Sequence, residues 1–94
     1  MIKPYELTII AKEELTVLDK IELEKLIKGY ARLRKRIVDG RKRLAYPLNN
    51  REWGLYLYYE LEIDQDKVSP LSCELNINDN ILRYLMVRKD MRGE

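Results

Sequence analysis

Seven of the twelve residues from Arg32 to Arg43 are basic: Arg32, Arg34, Lys35, Arg36, Arg41, Lys42 and Arg43. Five of the seven are arginine, whose planar fork makes paired hydrogen bonds to phosphate oxygens and stacks on base rings. That density points to a polyanion. The competing explanation is a solubilising face that also blunts an edge strand. Two tyrosines, Tyr56 and Tyr58, follow on a strictly alternating segment. Leu55, Leu57, Tyr59, Leu61 and Ile63 share one strand face, while Tyr56, Tyr58, Glu60 and Glu62 share the other. If helices cover the Leu57 face, both rings stand on the open face. There they either stack on bases at roughly 1–3 kcal/mol each or are covered by a protein partner. Arg83 on a later strand carries the same two options, and Arg88 ends that strand.

Other chemistry is excluded or weak. The chain has no histidine, the commonest general base and metal ligand. Cys73 alone makes neither a zinc site nor a thiol–base pair, and its place beside an apolar helix row suggests a small, partly buried filler. No glycine-rich phosphate loop or other cofactor motif is present. Glu60 and Glu62 read as solvated strand charges rather than an acid–base pair. The chain is therefore expected to be no enzyme, to need no cofactor or metal, and to take no small-molecule substrate.

These groups must be positioned by one domain. Ninety-four residues bury roughly 60–65% of their unfolded surface, enough for a single core spanning residues 1–94. The lone cysteine cannot form an internal disulfide, which suggests a reducing compartment. No run approaches the ~18 apolar residues of a membrane helix, and no signal or transit peptide is evident. The net charge of +2 hides an asymmetry. Lys28 to Arg51 holds nine basic residues against Asp39 alone, a net of +8, while Glu52 to Asp79 carries −6. The cations are thus expected along one flank.

Lys3 to Ala11 alternates as a first strand, with Tyr5, Leu7, Ile9 and Ala11 on one side. Thr16 is a helix N-cap with Asp19 three residues on, a short form of the capping box. Leu23, Leu26, Ile27 and Tyr30 make one apolar stripe, from which Leu18 and Ile21 are absent. Gly29 marks the exit, where glycine accepts a left-handed terminal conformation. Ala31 to Val38 is a basic strand with Arg32, Arg34 and Arg36 on one side and Leu33 and Ile37 on the other. Asp39-Gly40 reads either as a hairpin turn or as a bulge in one long strand running to Tyr46. Repulsion between two arginine-rich strands favours the bulge. Pro47 ends the pairing or marks an edge, and a polar loop covers Asn49 to Glu52. After the strand to Ile63, Asp64-Gln65-Asp66 opens a second helix with Val68, Leu71 and Leu75 on its stripe. Pro70 requires either an N-cap at Ser69 or a distorted start. Ile81 to Arg88 is the last strand, and Lys89 to Glu94 a charged, frayed tail. The order strand, helix, strand, strand, helix, strand predicts an α+β, ferredoxin-like sandwich: four antiparallel strands with both helices on one face.

Arg41-Lys42-Arg43-Leu44-Ala45-Tyr46-Pro47 resembles the R-x-L-A-Y-P signature of the bacterial-type small-subunit ribosomal protein six family. Gly54 to Tyr59 is similar to that family's following strand, Ile77 to Val87 to its C-terminal I-x-R segment, and Lys3 to Ile10, with Tyr5-Glu6, to its opening strand. The resemblance spans nearly the whole chain. It departs in a shorter first-helix region, in Pro70, and in the lack of a long charged tail. It implies the ferredoxin-like fold, no enzymatic activity, and a structural role in the small ribosomal subunit. It also implies binding of 16S-type small-subunit rRNA in the central domain, jointly with ribosomal protein eighteen as heterodimer partner. Carried over by position, Lys3, Tyr5, Arg43, Tyr46 and Arg83 join Arg32, Arg34, Arg36, Arg41, Lys42, Tyr56, Tyr58 and Arg88 as candidates for RNA or partner contact. The expected location is the ribosome, in bacterial cytoplasm or plastid stroma. The rival reading is a ferredoxin-like RNA- or protein-binding module outside the ribosome. An acylphosphatase-like enzyme is a distant third, because Lys12-Glu13-Glu14 is acidic and glycine-free where a phosphate loop would sit.

Overall fold

A computed structural model of the chain describes residues 1–89; residues 90–94 of the expected tail lie outside the described residues. The elements run β1 (Ile2–Ala11), α1 (Val17–Lys28), β2 (Ala31–Leu48), β3 (Arg51–Asp64), α2 (Gln65–Asn76) and β4 (Ile81–Arg88). All pairings are antiparallel and the sheet order is β2-β3-β1-β4. Both helices lie on one face, so the sandwich is the ferredoxin-like one expected.

The core is what strand alternation dictates. Leu7, Ile9 and Ala11 of β1 and Leu55, Leu57, Tyr59, Leu61 and Ile63 of β3 are buried against Leu23 and Ile27 of α1 and Leu71 and Leu75 of α2. Each fully buried leucine or isoleucine contributes about 1.5–3 kcal/mol by leaving water. Thr16 caps α1 with the complete reciprocal box: its hydroxyl accepts from the Asp19 N–H and the Asp19 carboxylate accepts from the Thr16 N–H. Leu18 and Ile21 are exposed, off the buried stripe.

Four local expectations are corrected. Gly29 does end α1, but at φ −68° and ψ −20°, a right-handed residue whose N–H donates to the last carbonyls without a left-handed turn. Asp64, not Ser69, caps α2, its carboxylate accepting from the Asp66 N–H, so Pro70 falls at the sixth helical position. The helix tolerates it by leaving the Asp66 carbonyl without its usual donor. Cys73 is exposed, because it lies about 200° around the helix from Leu71 and away from the sheet. The polar loop shrinks to Asn49-Asn50, both at positive φ (50° and 63°), a tight turn that places Arg51 and Glu52 inside β3. Asparagine tolerates that conformation better than any residue but glycine.

Asp39-Gly40 is a bulge, not a turn. β2 runs unbroken through it, the register with β3 shifts between Val38 and Gly40, and Gly40 takes φ +93°. A second shift lies between Leu33 and Lys35 and a third between Arg43 and Leu48. Pro47 falls in the third gap, on an edge strand, where its missing N–H costs nothing.

Candidate nucleic-acid interface

The bulges decide where the cations go. Before the first bulge, Arg32 pairs with Glu62 and points to the open face, while Leu33 pairs with Leu61 and points to the helices. After it the parity inverts. Arg36 pairs with Tyr59 on the helix side, and Ile37 pairs with Tyr58 on the open side. The expected grouping of Arg32, Arg34 and Arg36 on one side, opposite Leu33 and Ile37, is therefore corrected: one extra residue moves every later side chain to the other face. Beyond the second bulge, Arg41 and Arg43 oppose Leu55 and Trp53 on the helix side, and Lys42 opposes Gly54 on the open side. The basic segment does not form one flank. It wraps the β2 edge and shows cations on both faces.

Most of these cations meet a carboxylate. Arg36 Nη1 donates to Glu24 Oε2 of α1 at 2.5 Å, and Arg34 lies 3.5 Å from Glu62. Arg51 makes a two-pronged contact with Glu14 at 2.8 and 2.9 Å, and Arg41 donates to Glu13. Lys42 pairs with Asp39, and Arg43 lies 3.5 Å from Glu52. The cations of these pairs lie at the surface, where water and salt screen them, so they exchange readily for another anion. They shift titration in the expected sense. The Arg51 guanidinium lowers the Glu14 carboxyl, and the partner carboxylates raise Lys42, Arg36 and Arg51, so all three stay cationic across neutral pH. Arg41 also stacks over Trp53, 4.1 Å from the ring centroid.

The thirteen sequence-predicted site residues separate along the sheet. Lys3, Tyr5, Arg32, Arg34 and Arg88 gather at the end where β1 begins and β4 stops. Tyr5 turns toward the helices and packs on the core, so its ring is not on the open face. Arg41, Lys42, Arg43, Tyr46, Tyr56 and Arg83 gather at the opposite end. Lys3 and Ile10 are seven strand steps apart, about 24 Å at roughly 3.4 Å per step. Tyr58 sits between the ends and lines an open-face groove of about 280 Å³ with Thr8, Ile37, Lys35, Glu6 and Glu60. Arg36 lies apart, beside α1. Glu60 and Glu62 are paired with Lys89 and Arg34, not with each other.

At the hairpin end, β2 leaves its register and bends over the open face. Leu44, though on an edge strand, is 7% exposed, and Tyr46 reaches far enough to accept a hydrogen bond from Arg83 Nη1 of β4 at 3.3 Å. Gly54 permits this bend. A β-carbon there would lie 2.8 Å from Ile10 Cγ2 and 3.2 Å from Leu44 Cδ2. Sequence reading missed Ile10, Leu44, Arg51 and Trp53 as builders of this end. The smallest residue beside the bulkiest strand was the available signal. Among the described residues no cluster of three metal-ligating side chains exists, and no described helix is long and apolar enough to cross a membrane.

The family model described as Ribosomal protein S6 matches residues 4–88. A small ribosomal subunit protein bS6 of Corynebacterium aurimucosum is 42% identical, over 94% of this chain and 97% of its own length. The bS6 of Thermus thermophilus is 34% identical, over 89% and 88%. In fold, the crystal structure of 30S ribosomal protein S6 from Thermotoga maritima superposes with a TM-score of 0.83 at 17% identity, covering 95% of this chain and 89% of that one. An uncharacterized protein of the same organism superposes at 0.63 with 19% identity, covering 96% of this chain and all of that one. The sandwich is thus shared with a solved S6 structure, and the chain is a member of the ribosomal protein S6 family, a structural, non-enzymatic ribosomal protein.

Proposed function

We propose that the chain is a constituent of the small ribosomal subunit that binds 16S-type rRNA in the central domain, together with ribosomal protein eighteen as heterodimer partner. The match across residues 4–88 carries this reading. The joint site follows from the likeness of the L-A-Y-P and I-x-R strands to the family's. The mechanism is electrostatic. Phosphates replace weakly held carboxylates on exposed arginines, condensed counterions are released, and the partner completes the surface. The cation groups at the two sheet ends supply the contacts, so the Lys3–Arg88 end and the Arg41–Arg83 end act as separate anchors. This proposed setting is a ribosome of bacterial cytoplasm or plastid stroma.

A filter-binding titration with the partner present tests it. The logarithm of affinity should fall linearly with the logarithm of salt concentration, by about 0.7–0.9 per phosphate neutralised. Arg43→Glu should weaken binding while leaving the fold intact, since the Arg43 side chain is 70% exposed and its charged partner among the described residues is the exposed Glu52. A flat salt dependence, or failure of the tagged chain to sediment with the small subunit, would overturn the reading.

A further inference from the structure

Under the bent end of β2 lies a crevice of about 110 Å³, lined by Ile10, Leu44, Ala45, Tyr46, Leu48, Tyr56 and Arg83. Its floor is one row across three strands, Arg83 on β4, Ile10 on β1 and Tyr56 on β3. Its wall is the L-A-Y segment of β2. The volume is below the ~300 Å³ at which small-molecule sites begin, so it suits a protruding part of a larger ligand.

The chemistry of the lining is one-sided. The polar groups of its side chains are the Arg83 guanidinium and the Tyr46 and Tyr56 hydroxyls; the Tyr46 hydroxyl accepts from Arg83 and keeps its own proton to donate. Lys42, held by Asp39, places its ammonium 5.5 Å from the Tyr56 centroid, at the outer limit of a cation–π contact, and does not seal the ring. No carboxylate lines the crevice. A basic side chain from a partner would find no carboxylate there and would face the like charge of Arg83. An aliphatic one would fill the floor and leave the donors idle. A nucleotide satisfies both, with a flat ring for Tyr56, carbonyl edges for the Tyr46 O–H and a phosphate for Arg83.

We propose that this crevice takes one unpaired nucleobase of a single-stranded RNA segment, stacked on Tyr56, with the adjoining phosphate on Arg83. It rests on the RNA-binding reading above and adds the site and the strandedness. Tyr46 is then a positioning residue, holding Arg83 at the rim. An adjoining groove of about 220 Å³ along Thr8, Ile10, Arg83 and Leu85 gives the strand a path off the crevice on the same face.

The test uses small-subunit rRNA transcribed with 4-thiouridine and bound to the full chain with its partner protein. After irradiation, mass spectrometry should place an RNA adduct on Tyr56 or Tyr46. Tyr56→Leu should weaken binding about five- to 150-fold with an unchanged salt slope, because stacking is lost but no charge. Arg83→Gln, at an exposed position that leaves the fold alone, should also lower the slope by about 0.7–0.9. Arg83→Gln without effect, or RNA adducts confined to the partner protein with none at Tyr56 or Tyr46, would overturn the crevice while a steep wild-type slope keeps the RNA reading. A flat wild-type slope would overturn both.

Discussion

Gly54→Ala tests whether β2 bends over the sheet as described. The new methyl would meet Ile10 Cγ2 at 2.8 Å and Leu44 Cδ2 at 3.2 Å, with the Ala11 carbonyl oxygen at 3.4 Å behind it. Ile10 is β-branched and cannot swing Cγ2 away without leaving its rotamer. Leu44 can yield, but only by lifting the hairpin end. Overpacking of this kind costs about 1–3 kcal/mol. Replacing glycine by alanine returns about 0.4–1 kcal/mol by narrowing the unfolded ensemble. The net is a loss of roughly 1–2 kcal/mol, which lowers the melting temperature of a domain this size by about 5–15 °C. Urea unfolding followed by circular dichroism measures it, with Leu44→Ala and the double substitution completing a cycle. Leu44→Ala alone should cost about 2 kcal/mol, the low end for a leucine at the rim of a core. Because Leu44 is one of the clashing groups, the double variant should lose less than the sum, with a coupling of about 0.5–1 kcal/mol. A neutral or stabilising Gly54→Ala, or strict additivity, would refute the packing of Leu44 on Gly54 and with it the crevice wall.

Thr16→Ala should cost about 1 kcal/mol in urea unfolding, because the hydroxyl that accepts the Asp19 N–H goes and half the capping box with it; no loss would show the box to be idle. Pro70→Ala should stabilise by about 1–3 kcal/mol, since the new N–H can donate to the Asp66 carbonyl at an exposed position; destabilisation would mean that the ring's contacts outweigh the missing bond. Tyr59, 3% exposed, has its phenol pushed up to about 12 by burial, with Glu24 adding to the shift. A raised acid stabilises the folded state below the unfolded value near 10, and that contribution is lost as pH climbs toward 12. The wild-type advantage over Tyr59→Phe should therefore shrink by up to about 2–3 kcal/mol between pH 9 and 12 in stability measurements, and a constant difference would refute the burial of the hydroxyl.

What sequence determines here is whatever depends on near neighbours in the chain. The alternation of Leu55 to Ile63, the Thr16–Asp19 cap and the stripe Leu23-Ile27 each follow from a fixed repeat, and the βαββαβ order with its one-sided core follows from them. The L-A-Y-P and I-x-R segments were legible as a family pattern for the same reason. Tertiary structure alone decided the faces of the basic residues. Strand parity carries only as far as the next bulge, and two extra residues in β2 invert it twice, so Arg36 and Arg32 part company though only four positions apart. It likewise decided which carboxylates hold those cations, since Glu13, Glu14 and Glu24 reach them from the other end of the chain segment. It decided the crevice too. Ile10, Leu44, Tyr56 and Arg83 come from four strands, and no local spacing brings together side chains whose meeting depends on how far a hairpin bends over a sheet.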